Sequence, residues 1–306
     1  MRVGLWIEGQ LGAPVEEVVR QVSGAADAGY VRAWIGEVGS WDPLTLLAVV
    51  GRQVHRIEVG TAIVRTYPRH PLALAAQALT VQAATGNRLT LGVGPSHAPV
   101  IEREYGQSFA APGRNTREYL TALTPLLRGE SVAYHGESWT AVGGIGVAGT
   151  EAPPVLVSAL GPVMLRVAGE LADGTITAWA GPPTIGEVIR PALDRAAAGA
   201  GRRSPAVVAS VCVCVTADPE GARQRVNDTF GRAGELPSYR AVLDREGLAG
   251  PGDTVVAGDE AAVEGGLRRF ADAGATEILV IPVGTAEEKT RTVQALGNLA
   301  LSLRAG

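Results

Sequence analysis

Eight runs of strand-forming residues alternate along the chain with amphipathic helical patterns, and this alternation restricts the fold more than any other feature. Segments between the runs, such as residues 71–85 (PLALAAQALTVQAAT), are typical of helices. The predicted strands are residues 3–7, 31–35, 57–64, 88–93, 154–158, 174–179, 206–215 and 277–282. Eight strands, each followed by a helix, in 306 residues predict an α/β fold, a (β/α)8 TIM barrel.

A doubly wound open sheet is the structural alternative, and the lack of a G-x-G-x-x-G motif after the first strand disfavours it. Three segments exceed what a barrel needs. Residues 94–113 are expected to form a long loop, residues 131–149 a small β-hairpin, and residues 231–256 include a short helix, PSYRAVLDRE. Since no linker or internal repeat divides the sequence, we expect a single domain over residues 1–306.

Composition argues against several classes of protein. The net charge is −4 and no basic run occurs, which disfavours nucleic acid as a partner. No stretch approaches the ~20 apolar residues of a membrane span, and a first strand beginning at Val3 leaves no room for a signal peptide. Cys212 and Cys214 alternate on one strand and are expected to be inert core thiols. We therefore expect a cytoplasmic protein without a membrane partner.

The scarcity of some residue types limits the chemistry. The only lysine, Lys289, lies in a polar helix start, so a Schiff-base lysine at the end of a strand is absent. No two of the 4 histidines have metal-ligand spacing, and no metal site is expected. A G-x-S-x-G motif is also missing, which disfavours acyl-transfer hydrolysis.

In a barrel the loops after the strands build the active site, and RLTLGVGPSHAP (88–99) ends such a strand with Ser96 and His97. A histidine with an ordinary pKa near 6.5 can donate or accept a proton around neutrality. His97 is thus the first candidate for a catalytic acid or base. The alternative is a solvated loop histidine without a role.

Glu37 is the second candidate acid. It lies in WIGEVGSWD between Trp34 and Trp41, just past the second strand. A carboxyl group against indole rings would have a raised pKa and could donate a proton. The alternative is a solvated loop carboxylate.

Two further stretches offer anion-binding groups. SALGP (158–162) ends a strand with a glycine and begins a helix with a proline, so its free amides would suit a phosphate; an ordinary strand-to-helix turn is the alternative. GTAIVRTYPRHP offers Arg65, Arg69 and His70. Arginine clamps carboxylate or phosphate groups, although Arg69 and His70 could equally cap the next helix.

Three stretches together resemble the luciferase-like flavin-dependent superfamily, and in particular its coenzyme F420-dependent branch. They are residues 33–94 (AWIGEVGSWDPLTLLAVVGRQVHRIEVGTAIVRTYPRHPLALAAQALTVQAATGNRLTLGVG), residues 158–179 (SALGPVMLRVAGELADGTITAW) and residues 258–280 (GDEAAVEGGLRRFADAGATEILV). The resemblance covers nearly the whole chain, and no single motif carries it.

The resemblance implies a deazaflavin ring over the ends of strands 2 to 4 and a non-proline cis peptide at Ala62–Ile63. It implies that the backbone amides of residues 158–161 hold the cofactor phosphate. The cofactor-binding residues implied by the resemblance are Gly60, Thr61, Ala62, Ile63, Arg65, Ser158, Ala159, Leu160 and Gly161. The substrate pocket is expected to include Trp41, Ser96 and Trp179. Relatives are commonly homodimers, so the same is expected here.

One departure limits the functional inference. Sugar-phosphate dehydrogenases of this branch have an Asp-His pair after the second strand, where this chain has Glu37-Val38. The expected function is therefore a coenzyme F420-dependent reductase that transfers hydride to an activated C=C or C=N bond of a small molecule or natural-product intermediate. An FMN-dependent monooxygenase and a cofactor-binding barrel without turnover are the alternatives. Carbon at position 5 of the deazaflavin activates oxygen poorly, which favours a reductase if that cofactor is bound.

Overall fold

The computed structural model of the protein describes residues 2–305, and the side chains of residues 2–301. The strands among these residues are β1 (Arg2–Trp6), β2 (Arg32–Ile35), β3 (Glu58–Thr61), β4 (Val64–Arg65), β5 (Leu89–Gly94), β6 (Ser131–His135), β7 (Thr140–Gly144), β8 (Val155–Ser158), β9 (Gly174–Ala178), β10 (Ala206–Val215), β11 (Val256–Gly258) and β12 (Glu277–Pro282). The α-helices are α1 (Val15–Asp27), α2 (Pro43–Gln53), α3 (Pro71–Thr85), α4 (Ala98–Arg103), α5 (Pro112–Leu127), α6 (Pro162–Leu171), α7 (Pro182–Thr184), α8 (Arg190–Gly199), α9 (Pro219–Gly234), α10 (Pro237–Arg245), α11 (Glu260–Asp272) and α12 (Ala286–Ala305).

Eight parallel strands close into a barrel in the order β1, β2, β3, β5, β8, β9, β10 and β12, and β12 pairs again with β1. Every strand predicted from the sequence is present within two residues of its predicted bounds, apart from the run 57–64, which divides into β3 and β4. The (β/α)8 fold is confirmed, and the open sheet is excluded by the closing pairs. No helix among residues 2–305 is long and apolar enough to cross a membrane.

Trp34 fills the interior of the barrel. Its side chain is fully buried and packs with inward-facing residues of other strands, Leu156, Ile176, Val208 and Leu279. Glycines on both neighbouring strands make room for the indole: a Cβ on Gly4 of β1 would lie 2.5 Å from its Nε1, and one on Gly60 of β3 2.6 Å from its Cε3. In this layer of the barrel, the large side chain of Trp34 is therefore flanked by two glycines that have no side chain.

An ion-pair network with a buried centre, Arg32 and Glu277, lies where the strands begin. Arg32 donates to Glu277 over 2.6 Å and also pairs with Glu58, while Arg2 contacts both carboxylates. The indole of Trp34 donates to the other oxygen of Glu277 over 2.9 Å. Because charges out of water are stable only when paired and hydrogen-bonded, Glu277 is the acceptor on which this end of the barrel depends.

Two of the three extra segments are as predicted. Residues 131–144 contain the antiparallel hairpin of β6 and β7, and the short helix in 231–256 is α10. The prediction of a long loop over 94–113 was wrong in part, since α4 (Ala98–Arg103) interrupts it. His97 stands at the N-cap of α4 and Pro99 in its first turn, which suits a helix start. The free, buried Cys212 and Cys214 confirm the predicted core thiols.

Replacing the buried acceptor should destabilise the barrel. We expect Glu277→Ala to lower the free energy of unfolding by about 3–5 kcal/mol, because the buried Arg32 would keep only the half-exposed Glu58 as a partner and the indole N–H of Trp34 would lose its acceptor. The measurement is urea denaturation followed by circular dichroism. The matched control is Glu264→Ala, which breaks the exposed pair with Arg268 on α11 and should cost less than about 0.5 kcal/mol. Equal midpoints for both variants would contradict this role of Glu277.

Candidate active site at the barrel mouth

The carboxylate of Glu37 holds together the loops that follow β2 and β3. One oxygen accepts the backbone N–H of Arg65 over 2.9 Å and the guanidinium of Arg69 over 2.7 Å. The second terminal nitrogen of the Arg69 guanidinium donates to Asp42 over 2.7 Å. Asp42 also caps α2 by accepting from the amide of Thr45. Glu37 is only 12% exposed and Arg69 15%, so this pair is well shielded from water.

These contacts correct the expectation that Glu37 sits against indole rings. The indole of Trp34 points to Glu277 in the barrel interior, and the indole of Trp41 donates to the carbonyl of Ala13 over 3.1 Å. Glu37 is held by arginine instead. The carboxylate accepts two hydrogen bonds and orders the loop after β2.

Arg65 lies between this clamp and the loop after β5. Its guanidinium donates to the carbonyl of Glu37 over 3.2 Å and to the hydroxyl of Tyr105 over 3.1 Å. Only 15% of the Arg65 side chain is exposed. A cation is therefore fixed at the mouth, where it can attract an anionic group and disfavour another positive charge.

His97 contacts an aromatic cluster at the mouth. Its Nε2 lies 3.2 Å from the hydroxyl of Tyr239 in α10, and the two ring centroids are 4.9 Å apart. Trp179, at the end of β9, packs edge-on against Tyr239 at 4.4 Å, and Phe230 follows at 6.3 Å from Trp179. The structure thus joins predicted site residues from two distant strands through a tyrosine that was not predicted.

Burial, and to a smaller extent the positive charge of Arg65, lower the pKa of His97 below its usual value of 6.5. Burial also raises the pKa of Tyr239 above its usual value of 10. At neutral pH the imidazole is accordingly neutral and the phenol is protonated.

Two residues of this cluster have left-handed backbone conformations. Ser96, just before His97, has φ of +65°, and Trp179 has φ of +53°. Non-glycine residues held in that region cost of order 1–3 kcal/mol and concentrate at functional sites. The backbone of each loop is thus constrained where it presents His97 and Trp179.

The turn after β8 fits an anion. Gly161 is the N-cap of α6 with no side-chain cap, and Pro162 occupies the first turn. A Cβ on Gly161 would meet no atom within 4 Å, and its φ of −96° suits any residue. Nothing in the fold itself requires glycine there, whereas a phosphate held by backbone amides would require close approach.

This turn adjoins the loop of His97. A Cβ on Gly94, at the end of β5, would lie 2.1 Å from the hydroxyl oxygen of Ser158 and 3.2 Å from Ile63. The ends of β5 and β8 and the segment after β3 therefore meet at one place. Ala159 is buried with its carbonyl accepting from Thr175, and Leu160 is half-buried.

The end of β3 is buried, whereas the two residues that follow it are half-buried. The peptide between Ala62 and Ile63 is cis, as the resemblance implies, and both residues are half-buried above the barrel interior. The prediction that Gly60 and Thr61 bind a cofactor is not supported by their positions. Gly60 packs on Trp34, and the buried hydroxyl of Thr61 is hydrogen-bonded to the backbone of β5.

Two other sequence candidates have structural roles. His70 caps α3, since its Nδ1 accepts from the amide of Leu72, and its Nε2 contacts the carbonyl of Thr140 in the hairpin. Trp41 is 38% exposed, and its indole N–H is bonded to the carbonyl of Ala13. Tyr239 and Tyr105 were missed. The only available signal was that both fall in segments longer than a barrel needs, on the side where strands end.

Comparison with known proteins finds relatives over most of the chain. Residues 1–301 match the family model described as luciferase-like monooxygenase. A candidate coenzyme F420-dependent oxidoreductase of Mycobacterium tuberculosis is 30% identical over 236 residues, 71% of this chain and 68% of that protein. The 5,10-methylenetetrahydromethanopterin reductase of Methanolobus tindarius is 28% identical over 265 residues, 83% of this chain and 79% of that one.

Solved structures share the fold. Coenzyme F420-dependent tetrahydromethanopterin reductase from Methanopyrus kandleri has a TM-score of 0.78 at 22% identity and covers 97% of this chain and 96% of its own. The oxygenating constituent of 3,6-diketocamphane monooxygenase from Pseudomonas putida, solved with FMN, has a TM-score of 0.75 at 16% identity and covers 97% and 96%. The same barrel is thus found in proteins associated with either cofactor.

The clamp at the mouth should contribute to stability. Glu37→Gln keeps an acceptor for the amide of Arg65 but removes the charge that faces Arg69. We expect the free energy of unfolding to fall by about 1.5–3 kcal/mol, measured by urea denaturation. The control Glu151→Gln changes an exposed carboxylate and should stay within about 0.5 kcal/mol of the wild type. A Glu37→Gln protein as stable as that control would show that the pair with Arg69 is not formed in solution.

Proposed function

The chain belongs to the luciferase-like monooxygenase family, and we propose that it is a coenzyme F420-dependent reductase acting on an activated C=C or C=N bond of a small molecule. Its relatives include an F420-dependent oxidoreductase candidate and a methylenetetrahydromethanopterin reductase, which supports an oxidoreductase. The observation that carries the proposal is the meeting, at one barrel mouth, of an uncapped helix start and a histidine hydrogen-bonded to a tyrosine.

Each part of the mouth has a role in this proposal. The amides of Ala159, Leu160 and Gly161 would hold the cofactor phosphate, and the half-buried Ala62 and Ile63 would lie behind its ring. The reduced deazaflavin supplies a hydride from its C5.

Side chains of this protein would attract the substrate, exclude water and transfer the proton. The cationic Arg65 would favour an electron-rich or anionic group at the mouth. Trp179 and the aromatic residues beside it exclude water from the reacting bond. His97, with its partner Tyr239, exchanges the proton that accompanies the hydride.

An FMN-dependent monooxygenase is the second candidate function. The fold shared with an FMN-containing monooxygenase favours it, and the phosphate turn would serve FMN as well. The substitution of Glu37-Val38 for the Asp-His pair of sugar-phosphate dehydrogenases concerns the choice of substrate and not the choice of cofactor. Glu37 is occupied by Arg69 at that position, so it does not replace the missing Asp-His pair of sugar-phosphate dehydrogenases.

Filling the phosphate turn should weaken cofactor binding alone. Gly161→Val adds a side chain into open space at the helix start, so the fold should persist while backbone approach is blocked. We expect the Kd for coenzyme F420 to rise by about ten- to a hundredfold, as for the loss of one or two hydrogen bonds to a charged group. Fluorescence titration measures it. Gly146→Val, at another glycine with open space beyond the hairpin, is the control, and equal affinities of the two variants would refute the phosphate assignment.

Removing the imidazole should slow turnover without affecting cofactor binding. We expect His97→Ala to reduce turnover by about 10²–10⁴, the usual loss of a proton-transferring group. Cofactor affinity should stay within a few-fold, because His97 takes part in the proton transfer and does not hold the cofactor phosphate. The measurement is the absorbance of the oxidised coenzyme as it forms. A fall in turnover of less than about tenfold would make His97 part of the wall only.

A further inference from the structure

We propose that Tyr239 is the catalytic residue that gives the proton to the substrate, and that His97 lies behind it and restores that proton. The inference rests on the proposed function and goes beyond it by assigning a residue from α10. Its basis is the 3.2 Å contact between Nε2 of His97 and the Tyr239 hydroxyl at the mouth of the barrel.

Several contacts fix α10 across the mouth. At its end, Glu246 accepts the backbone N–H of Gly181, in the loop after β9, over 2.8 Å. Near its start, Tyr239 is packed between His97 and Trp179. Arg240 binds the carbonyls of residues 248 and 249, in the segment that follows the helix. The phenol is therefore held at one position relative to the strand ends.

The protonation states at neutral pH favour the phenol as donor. The neutral imidazole of His97 has one N–H and one lone pair and carries no spare proton. Arg65 faces His97 from the segment after β3 and opposes its protonation; its guanidinium lies 3.9 Å from the exposed carboxylate of Glu104. Arg240 on α10 and Glu246 just after it bind backbone groups elsewhere. Tyr239 keeps its proton in the buried site.

The proposed step moves one proton from Tyr239 to the substrate, and His97 and solvent replace it. The O–H bond of Tyr239 breaks as its proton passes to the substrate atom next to the carbon that receives hydride from the reduced deazaflavin. Nε2–H of His97 returns a proton to the phenolate oxygen while Nδ1 takes a proton from solvent, and proton exchange with solvent then restores the resting tautomer with its proton on Nε2. One hydride and one solvent proton are added, so the double bond is reduced by two electrons.

The arrangement requires that Nε2 of His97 donate to the Tyr239 oxygen, and this can be tested without cofactor. We would titrate the full-length ¹⁵N-histidine protein by NMR, with the His97 signals assigned by His97→Gln. The expected wild-type ring is protonated at Nε2. Tyr239→Phe should lower the pKa of His97 by roughly 0.5 to 1, because the imidazolium loses a stronger hydrogen bond than the neutral ring does.

A control and the opposing results complete the test. Tyr134→Phe, in the hairpin, should leave the pKa of His97 unchanged. A ring protonated at Nδ1, or a pKa of His97 that rises or stays constant in Tyr239→Phe, overturns the proposal, because the Tyr239 proton would then be directed at His97 or not bonded to it. Because no cofactor is present, this result does not depend on the proposed function.

Turnover gives a second readout, with reduced coenzyme F420 and cyclohex-2-enone as the probe. Tyr239→Phe should lose about 10²–10⁴ in turnover while its Kd for the coenzyme stays within a few-fold. Wild-type turnover should be constant between about pH 7 and pH 9, since the phenol stays protonated there. A tenfold fall per pH unit in that range would show an imidazolium donor and overturn the proposal. A wild type that binds the coenzyme but does not reduce the probe contradicts the proposed C=C chemistry, and the NMR result then decides the assignment of Tyr239.

Discussion

A closed barrel of eight short strands must fill its interior, and here one indole satisfies that constraint. Trp34 is possible only because Gly4 and Gly60 on the adjoining strands leave space for it, and its N–H is satisfied by Glu277. Glu277 in turn neutralises Arg32 where the strands begin. Since the lower interior is filled by this packed and charge-balanced layer, the open end at the carboxyl ends of the strands is left for a ligand.

At that open end, pairing between loops sets the electrostatics. Glu37 binds Arg69 and the backbone of Arg65, which fixes the guanidinium of Arg65 near His97. Burial together with this charge keeps the imidazole neutral, while burial keeps the phenol of Tyr239 protonated. Glu37 thus acts on His97 indirectly: it binds the backbone of Arg65, and the charge of Arg65 helps to keep the imidazole neutral.

Local periodicity predicted much of the fold. The strands and the hairpin could be recognised because alternation and turn residues act over a few positions, and Asp42 with Pro43 marked a helix start that the structure confirms. The site was less accessible. The partner of His97 lies 142 residues away, and the partner of Glu37 lies 32 away. No local pattern encodes such contacts between loops, so neither the pairing of Glu37 with Arg69 nor the contact of Tyr239 with His97 could be predicted.

We propose that this barrel mouth binds a deazaflavin in preference to a flavin. The most direct measurement is a titration of the cofactor-free protein with coenzyme F420 and, separately, with FMN, followed by absorbance and fluorescence. We expect saturable, micromolar or tighter binding of coenzyme F420 and much weaker binding of FMN. Micromolar binding of FMN with no measurable binding of coenzyme F420 would contradict it.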